Sequence, residues 1–91
     1  MKTLHLFISG RVQRVWYRDW MMAEATALGV TGWVRNRADG RVEALVSGEA
    51  AAVDQLVAAC HTGPQHARVS GIEAAPADPP ATGGFLRIAD A

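Results

Sequence analysis

Six arginines dominate the chemistry open to this 91-residue chain: Arg11, Arg14 and Arg18 form one cluster, Arg35, Arg37 and Arg41 another. A guanidinium stays charged at any ordinary pH and grips phosphate or carboxylate through two parallel hydrogen bonds, so two such triplets can focus a positive field on a small anion. The first triplet lies on the segment Gly10 to Arg18, which reads as a loop running from a strand into the start of a helix. A helix N-terminus leaves backbone N–H groups unpaired and presents the positive end of the helix dipole, and both favour phosphate. The patterns GxxxxGK[ST] and GxGxxG are absent, so neither ATP nor a dinucleotide is implied. Arginines solvated at strand ends look the same on charge alone, so the anion reading depends on what brings the triplets together.

Other reactive residue types carry less. Cys60, the single cysteine, falls on the apolar stripe of a helical pattern and reads as core rather than nucleophile. With no second cysteine there is neither an internal disulfide nor a CxxC pair, which fits a cytoplasmic protein. His61 and His66 match no zinc spacing and read as solvated loop residues; no metal site is expected. Met21, Met22 and Trp33 read as packing, Trp20 as lying toward a helix edge, and Asp39-Gly40 as a hairpin turn.

The elements that must position the arginines follow from periodicity. Leu4, Leu6 and Ile8 alternate with His5, Phe7 and Ser9, which predicts a half-buried strand ending at Gly10. From Arg18 to Leu28 there is no Gly or Pro; Met21, Ala25 and Leu28 share one helical face, and Gly29 is a stop signal. Val30–Asn36 and Val42–Val46 read as a hairpin about Asp39-Gly40, and Glu49–Cys60 as a second helix with Val53, Leu56, Val57 and Cys60 inward. Arg68–Ala74 reads as a strand with a candidate bulge at Gly71, residues 78–84 as a Pro/Gly loop, and Phe85–Ala89 as a last short strand. The order is β-α-β-β-α-β with an added C-terminal strand, an α+β, ferredoxin-like sandwich with two helices on one face of an antiparallel sheet. In that plan the first two strands run parallel, so the loop Gly10–Tyr17, the start of the first helix and Arg35-Asn36 meet at one sheet edge, and both arginine triplets are expected there.

Composition limits the classes of function. At 49% hydrophobic and 20% charged residues the chain supports one packed core, and residues 1–91 read as a single domain. Net charge is zero, which argues against a general nucleic-acid binder. The balance is uneven: residues 1–45 hold seven Lys+Arg and four Asp+Glu, residues 46–91 two and five. The N-terminus has no signal-peptide core and no run approaches the roughly 20 apolar residues of a membrane span, so secretion and membrane partners are not expected.

Two stretches resemble the signatures of one family. Gly10-Arg11-Val12-Gln13-Arg14-Val15-Trp16-Tyr17-Arg18 is similar to the acylphosphatase pattern GxVQGVxFR, and Gly32-Trp33-Val34-Arg35-Asn36 through Asp39-Gly40-Arg41-Val42-Glu43 to Gly48 is similar to its second pattern, GWVxNxxDGxVE followed by a glycine. The resemblance implies a cytoplasmic, monomeric enzyme of the ferredoxin-like fold that hydrolyses acyl phosphates to carboxylate and inorganic phosphate, with no metal or cofactor. Carried over by position, it implies a phosphate loop formed by Gln13, Arg14, Val15, Trp16 and Tyr17 with Arg18, and a catalytic pair in which Arg18 binds phosphate and Asn36 orients the attacking water. Two positions depart from the pattern: Arg14 replaces a loop glycine and Tyr17 a phenylalanine. If the loop keeps its path, Arg14 is held at positive φ at a cost of about 1–2 kcal/mol, or a peptide turns and one phosphate-directed N–H is lost. The alternative is a non-catalytic module that binds a small anion or carbamoyl phosphate. A single-stranded RNA binder on the same sheet plan is disfavoured, since Arg41–Val46 has no aromatic residue to stack on bases.

Overall fold

Burial of alternate residues builds the sheet, and burial at helical spacing docks both helices on one side of it. A computed structural model describes residues 1–81 and 83–91; Thr82, inside the Pro/Gly loop expected over residues 78–84, lies outside the described residues. The elements are β1 (Lys2–Arg11), α1 (Tyr17–Leu28), β2 (Thr31–Asn36), β3 (Val42–Gly48), α2 (Ala50–Cys60), β4 (Arg68–Pro76) and β5 (Phe85–Arg87). The sheet order is β4-β1-β3-β2-β5. The first four strands pair antiparallel as expected, while the added strand β5 pairs parallel with β2, which makes the five-stranded sheet mixed.

Leu6 and Ile8 of β1, Val34 of β2, and Val42, Ala44 and Val46 of β3 are all buried on the helix side. Against them lie Met21 and Ala25 of α1 and Val53, Leu56 and Cys60 of α2, which are the stripes that the periodicity predicts. Gly29 ends α1 in the left-handed conformation, and its N–H caps the carbonyls of Ala25 and Thr26. Cys60 is fully buried, and burial pushes its thiol up to about 11, so it remains a neutral core residue at physiological pH.

Two features aim the chain out of β1 toward the site. Gly10 sits at φ 119, where a Cβ would lie 2.1 Å from the Arg68 carbonyl oxygen, so only glycine permits this approach of β1 to β4. The β1–β4 register shifts there: Ser9 opposes Gly71 but Gly10 opposes Val69, so Ser70 is the extra residue of a bulge beside the glycine that the sequence marks. At the far end of the loop Tyr17 is buried in the core, and its hydroxyl donates to the Cys60 carbonyl at 2.6 Å. The start of α1 is thereby fastened to the end of α2. Burial holds the Tyr17 phenol far above its ordinary pKa, so this donor is never lost in the folded state.

Tyr17→Phe removes the donor and leaves a buried carbonyl unpaired. The unfolding free energy measured in urea should fall by about 1–2 kcal/mol with an unchanged slope. An unchanged midpoint would show that the carbonyl finds another partner.

Candidate active site

Between β1 and α1 the chain alternates between core and solvent. Val12, Val15 and Tyr17 point into the core, whereas Arg14 and Trp16 point out. The outward residues are the only non-glycines at positive φ among the described residues, Arg14 at 62° and Trp16 at 66°, with Val15 between them on the ordinary side. Left-handed residues alternating with ordinary ones turn successive N–H groups toward one centre, the geometry of a backbone anion nest. Trp16 is also the N-cap of α1, with no side-chain cap, and the first helical bond runs from Trp20 N–H to the Trp16 carbonyl at 3.0 Å. The N–H groups of Gln13 through Asp19 donate to no group among the described residues, so the loop and the first helical turn together present free donors and a positive dipole end.

A cleft of about 220 Å³ opens beside this loop, lined by Arg14, Trp16, Tyr17, Arg18, Asp19 and Arg87. Arg87 is paired with Asp19 across the cleft at 3.0 Å. Arg14 makes no ion pair or side-chain hydrogen bond among the described residues, and Trp16 is 76% exposed. Arg18 Nη1 donates to Asp90 Oδ1 at 2.9 Å, and the same oxygen accepts from the Asn36 backbone N–H at 3.3 Å. Arg18 and Asn36 therefore stand within two hydrogen-bond lengths of each other. The Asn36 side-chain oxygen is buried without a partner among the described residues.

The other expected site residues are placed differently. Val15 is a core anchor, and any contact it makes with an anion runs through its backbone N–H. Gln13 turns its amide away from the cleft and donates from Nε2 to the carbonyls of Arg37 at 2.8 Å and Arg41 at 2.9 Å. The second arginine triplet does not join the first, contrary to expectation. Side chains alternate along a strand, so Arg35 leaves β2 on the face opposite Val34 and meets its cross-strand partner Glu43 at 2.7 Å. Arg37 also reaches Glu43, at 3.1 Å, while Arg41 grips Asp39 at 2.7 and 3.0 Å and covers the ring of Phe7. Burial would raise the Glu43 carboxyl, but hydrogen bonds from Arg35, His5 and Arg37 outweigh it and hold the group below its ordinary pKa. These arginines are neutralised on the open face of the sheet. Among the described residues no group of three or more His, Cys, Asp or Glu is placed to hold a metal ion, and no helix is long and apolar enough to cross a membrane.

Comparison with known proteins reaches the same loop from another direction: the acylphosphatase family model matches residues 4–86. The chain belongs to the acylphosphatase family. It is 54% identical over 85 residues to the acylphosphatase of Acidiphilium cryptum, covering 93% of each chain. It is 55% identical over 83 residues to that of Rubrobacter xylanophilus, covering 91% of this chain and 74% of the relative. The crystal structure of acylphosphatase from Bacillus subtilis superposes with a TM-score of 0.90 at 31% identity, covering 97% of this chain and 99% of the other. Against the family pattern, Arg14 keeps the backbone path that a glycine would take and holds φ 62, which is the strained alternative. Asp90, Arg87 and the left-handed Trp16 are the site features that sequence reasoning missed. Position 16 is left open in the signature, and no motif marks the acid–base pairs that only the fold brings together.

Arg14→Gly separates backbone strain from side-chain charge. Removing the left-handed arginine should raise stability by up to about 1 kcal/mol after the entropy cost of glycine. Losing the unpaired guanidinium should lower kcat/KM for an acyl phosphate several-fold at low salt. The second effect should vanish near 1 M salt, where charges are screened within about 3 Å. A loss that persists at high salt would mean that Arg14 touches the substrate directly.

Proposed function

We propose that this enzyme hydrolyses acyl phosphates at the cleft beside the loop, with Arg18 and the N–H groups of Gln13–Tyr17 holding the phosphoryl group and Asn36 orienting the water. The observation that carries the assignment is the convergence of Arg18 Nη1 and the Asn36 N–H on one anionic oxygen, beside a loop whose own N–H groups are free. Similarity to acylphosphatases over nearly the whole length favours the enzyme over a non-catalytic anion-binding module.

The chemistry asks little more of the protein. Water attacks phosphorus, the bond to the acyl oxygen breaks, and a carboxylate departs. Its conjugate acid has a pKa of about 4, so no general acid is needed. What remains is positioning and stabilisation of the charge on the equatorial phosphoryl oxygens, which a guanidinium and backbone donors supply. Asn36 is too weak a base to take a proton, but its amide accepts one hydrogen of a water through Oδ1 and donates to oxygen through Nδ2. A buried acceptor left unpaired costs about 1–3 kcal/mol, so the orphan Oδ1 fits a group kept for a transient partner. The water's proton then passes to a phosphate oxygen. Among the described residues the large exposed hydrophobics are Met1, Trp16 and Leu86, far apart along the chain, which supports a monomer; the buried, unpaired Cys60 supports the cytoplasm.

The two roles are separable. Arg18→Gln should lower kcat/KM by about 10²–10³ and abolish inhibition by inorganic phosphate. Asn36→Ala should lower kcat by about 10² or more while phosphate inhibits as in the wild type. Strong phosphate inhibition in the first variant, or near-normal kcat in the second, would overturn the assignment of that residue.

A further inference from the structure

Beyond β5 the chain keeps running alongside β2. Ile88 N–H donates to the Val34 carbonyl and Ala91 N–H to the Asn36 carbonyl, both at 3.0 Å. This track delivers the Asp90 side chain to the site, where one carboxylate oxygen takes the two donors described above. We infer that Asp90 is a built-in competitor for the anion site, which phosphate and acyl phosphate alike must displace. The inference rests on the reading of Arg18 as the phosphate ligand.

Three observations favour displacement over a permanent ternary arrangement. The Asn36 N–H has a single hydrogen, so it serves the carboxylate or a phosphate oxygen and not both. A carboxylate oxygen held 2.9 Å from Arg18 Nη1 would face a phosphoryl dianion on the same guanidinium, and like charges at such range oppose simultaneous occupancy. Asp90 is also free to leave: its side chain is 57% exposed and touches Arg18 through one nitrogen only, so water solvates it as soon as it swings away. Such an exposed, single-contact pair is weak, and the competition it offers is accordingly shallow. Asp90 tunes the affinity of the site without closing it. It also gives product a replacement anion on leaving, since the carboxylate re-engages Arg18 as phosphate departs.

The test compares the full-length wild type with Asp90→Asn and Asp90→Ala, reading KM and kcat for acetyl phosphate and the competitive Ki of inorganic phosphate. Competition predicts that Ki and KM fall together in both variants, by about two- to fivefold, because the carboxylate opposes both anions equally. Direct titration with inorganic phosphate by calorimetry should show the same gain. If Asp90 instead held Arg18 in position for substrate, kcat/KM would fall and Ki would rise in both variants, which overturns the competition. Unchanged Ki and KM would overturn it also. Arg18→Gln is measured in parallel: loss of its phosphate binding together with unchanged binding in the Asp90 variants strikes the competition alone. Wild-type phosphate binding in Arg18→Gln would remove the site reading and the competition with it.

Discussion

The amide of Gln13 ties the two loops of the site together, and the relation between Arg18 and Asn36 depends on that tie. Its two hydrogens go to the carbonyls of Arg37 and Arg41, the residues at either end of the short β2–β3 connection. The same carbonyls close that connection on itself, since Gly40 N–H donates to Arg37 and Arg37 N–H to Arg41. Each oxygen thus uses both lone pairs, and Asn36, one residue before Arg37, is fixed against the loop that carries Arg18. Two half-buried hydrogen bonds contribute only about 1 kcal/mol each to stability. A misplacement of about 1 Å between reacting groups costs roughly 10²-fold in rate, so if Arg18 and Asn36 act as proposed the clamp matters more to turnover than to folding.

The strain in the loop between β1 and α1 is sustained by its neighbours. Two left-handed side-chain-bearing residues, Arg14 and Trp16, cost about 1–2 kcal/mol each. Between and around them Val12, Val15 and Tyr17 are buried, and burial of a valine alone contributes about 1.5–3 kcal/mol. Burial outweighs the strain. The hydrophobic anchors hold the loop at every second or third residue, and the residues between them have no choice but to turn outward. What results is a concave row of backbone donors and an exposed indole at the mouth of the cleft. In water an exposed tryptophan and an unpaired arginine contribute little to stability, and strain of this kind persists where the surrounding structure over-determines it.

Much of this was legible because it rests on periodicity. The alternation Leu4-Leu6-Ile8 and the stripes Met21-Ala25 and Val53-Leu56-Cys60 report which side is buried, and once one face of a sheet is covered, register and layer order follow. Gly10 and Gly29 likewise mark a strand end and a helix stop at positive φ, which glycine meets cheaply, whereas Gly71 only neighbours the bulge at Ser70 and meets no such need. The direction of β5 was not legible, because three residues carry too little pattern to show which neighbour they join. Nor was Asp90, which reaches Arg18 across 72 positions through a backbone track with no side-chain signature. The arginines of the hairpin were expected at one sheet edge with the first triplet, but their side chains leave on the open face and do not join it. Edge position depends on topology, whereas face depends on a single residue of phase, and Glu43 opposite Arg35 is the clue that settles it.

That phase decides how a chain of zero net charge creates a local positive field. If all six arginines faced one pocket, their mutual repulsion would have to be overcome by the substrate alone, and the site would destabilise the fold whenever no anion was bound. The structure divides them. Arg35, Arg37 and Arg41 spend their charge on Glu43 and Asp39 and stiffen the hairpin from the outer face of the sheet, where the aromatic rings of Trp33 and Phe7 cover or are covered by guanidinium planes. On the other side, Arg87 is offset by Asp19 and Arg18 by Asp90, each through an exposed contact that solvent readily replaces. The pairs differ in permanence with the burial of the acid: Glu43 is 3% exposed and cannot release Arg35 or Arg37 without leaving a buried charge, whereas Asp90 can release Arg18, as Asp39 can release Arg41. Arg35 and Arg37 are therefore held by a buried acid, whereas Arg18, the proposed phosphate ligand, is held by an acid that solvent can take over.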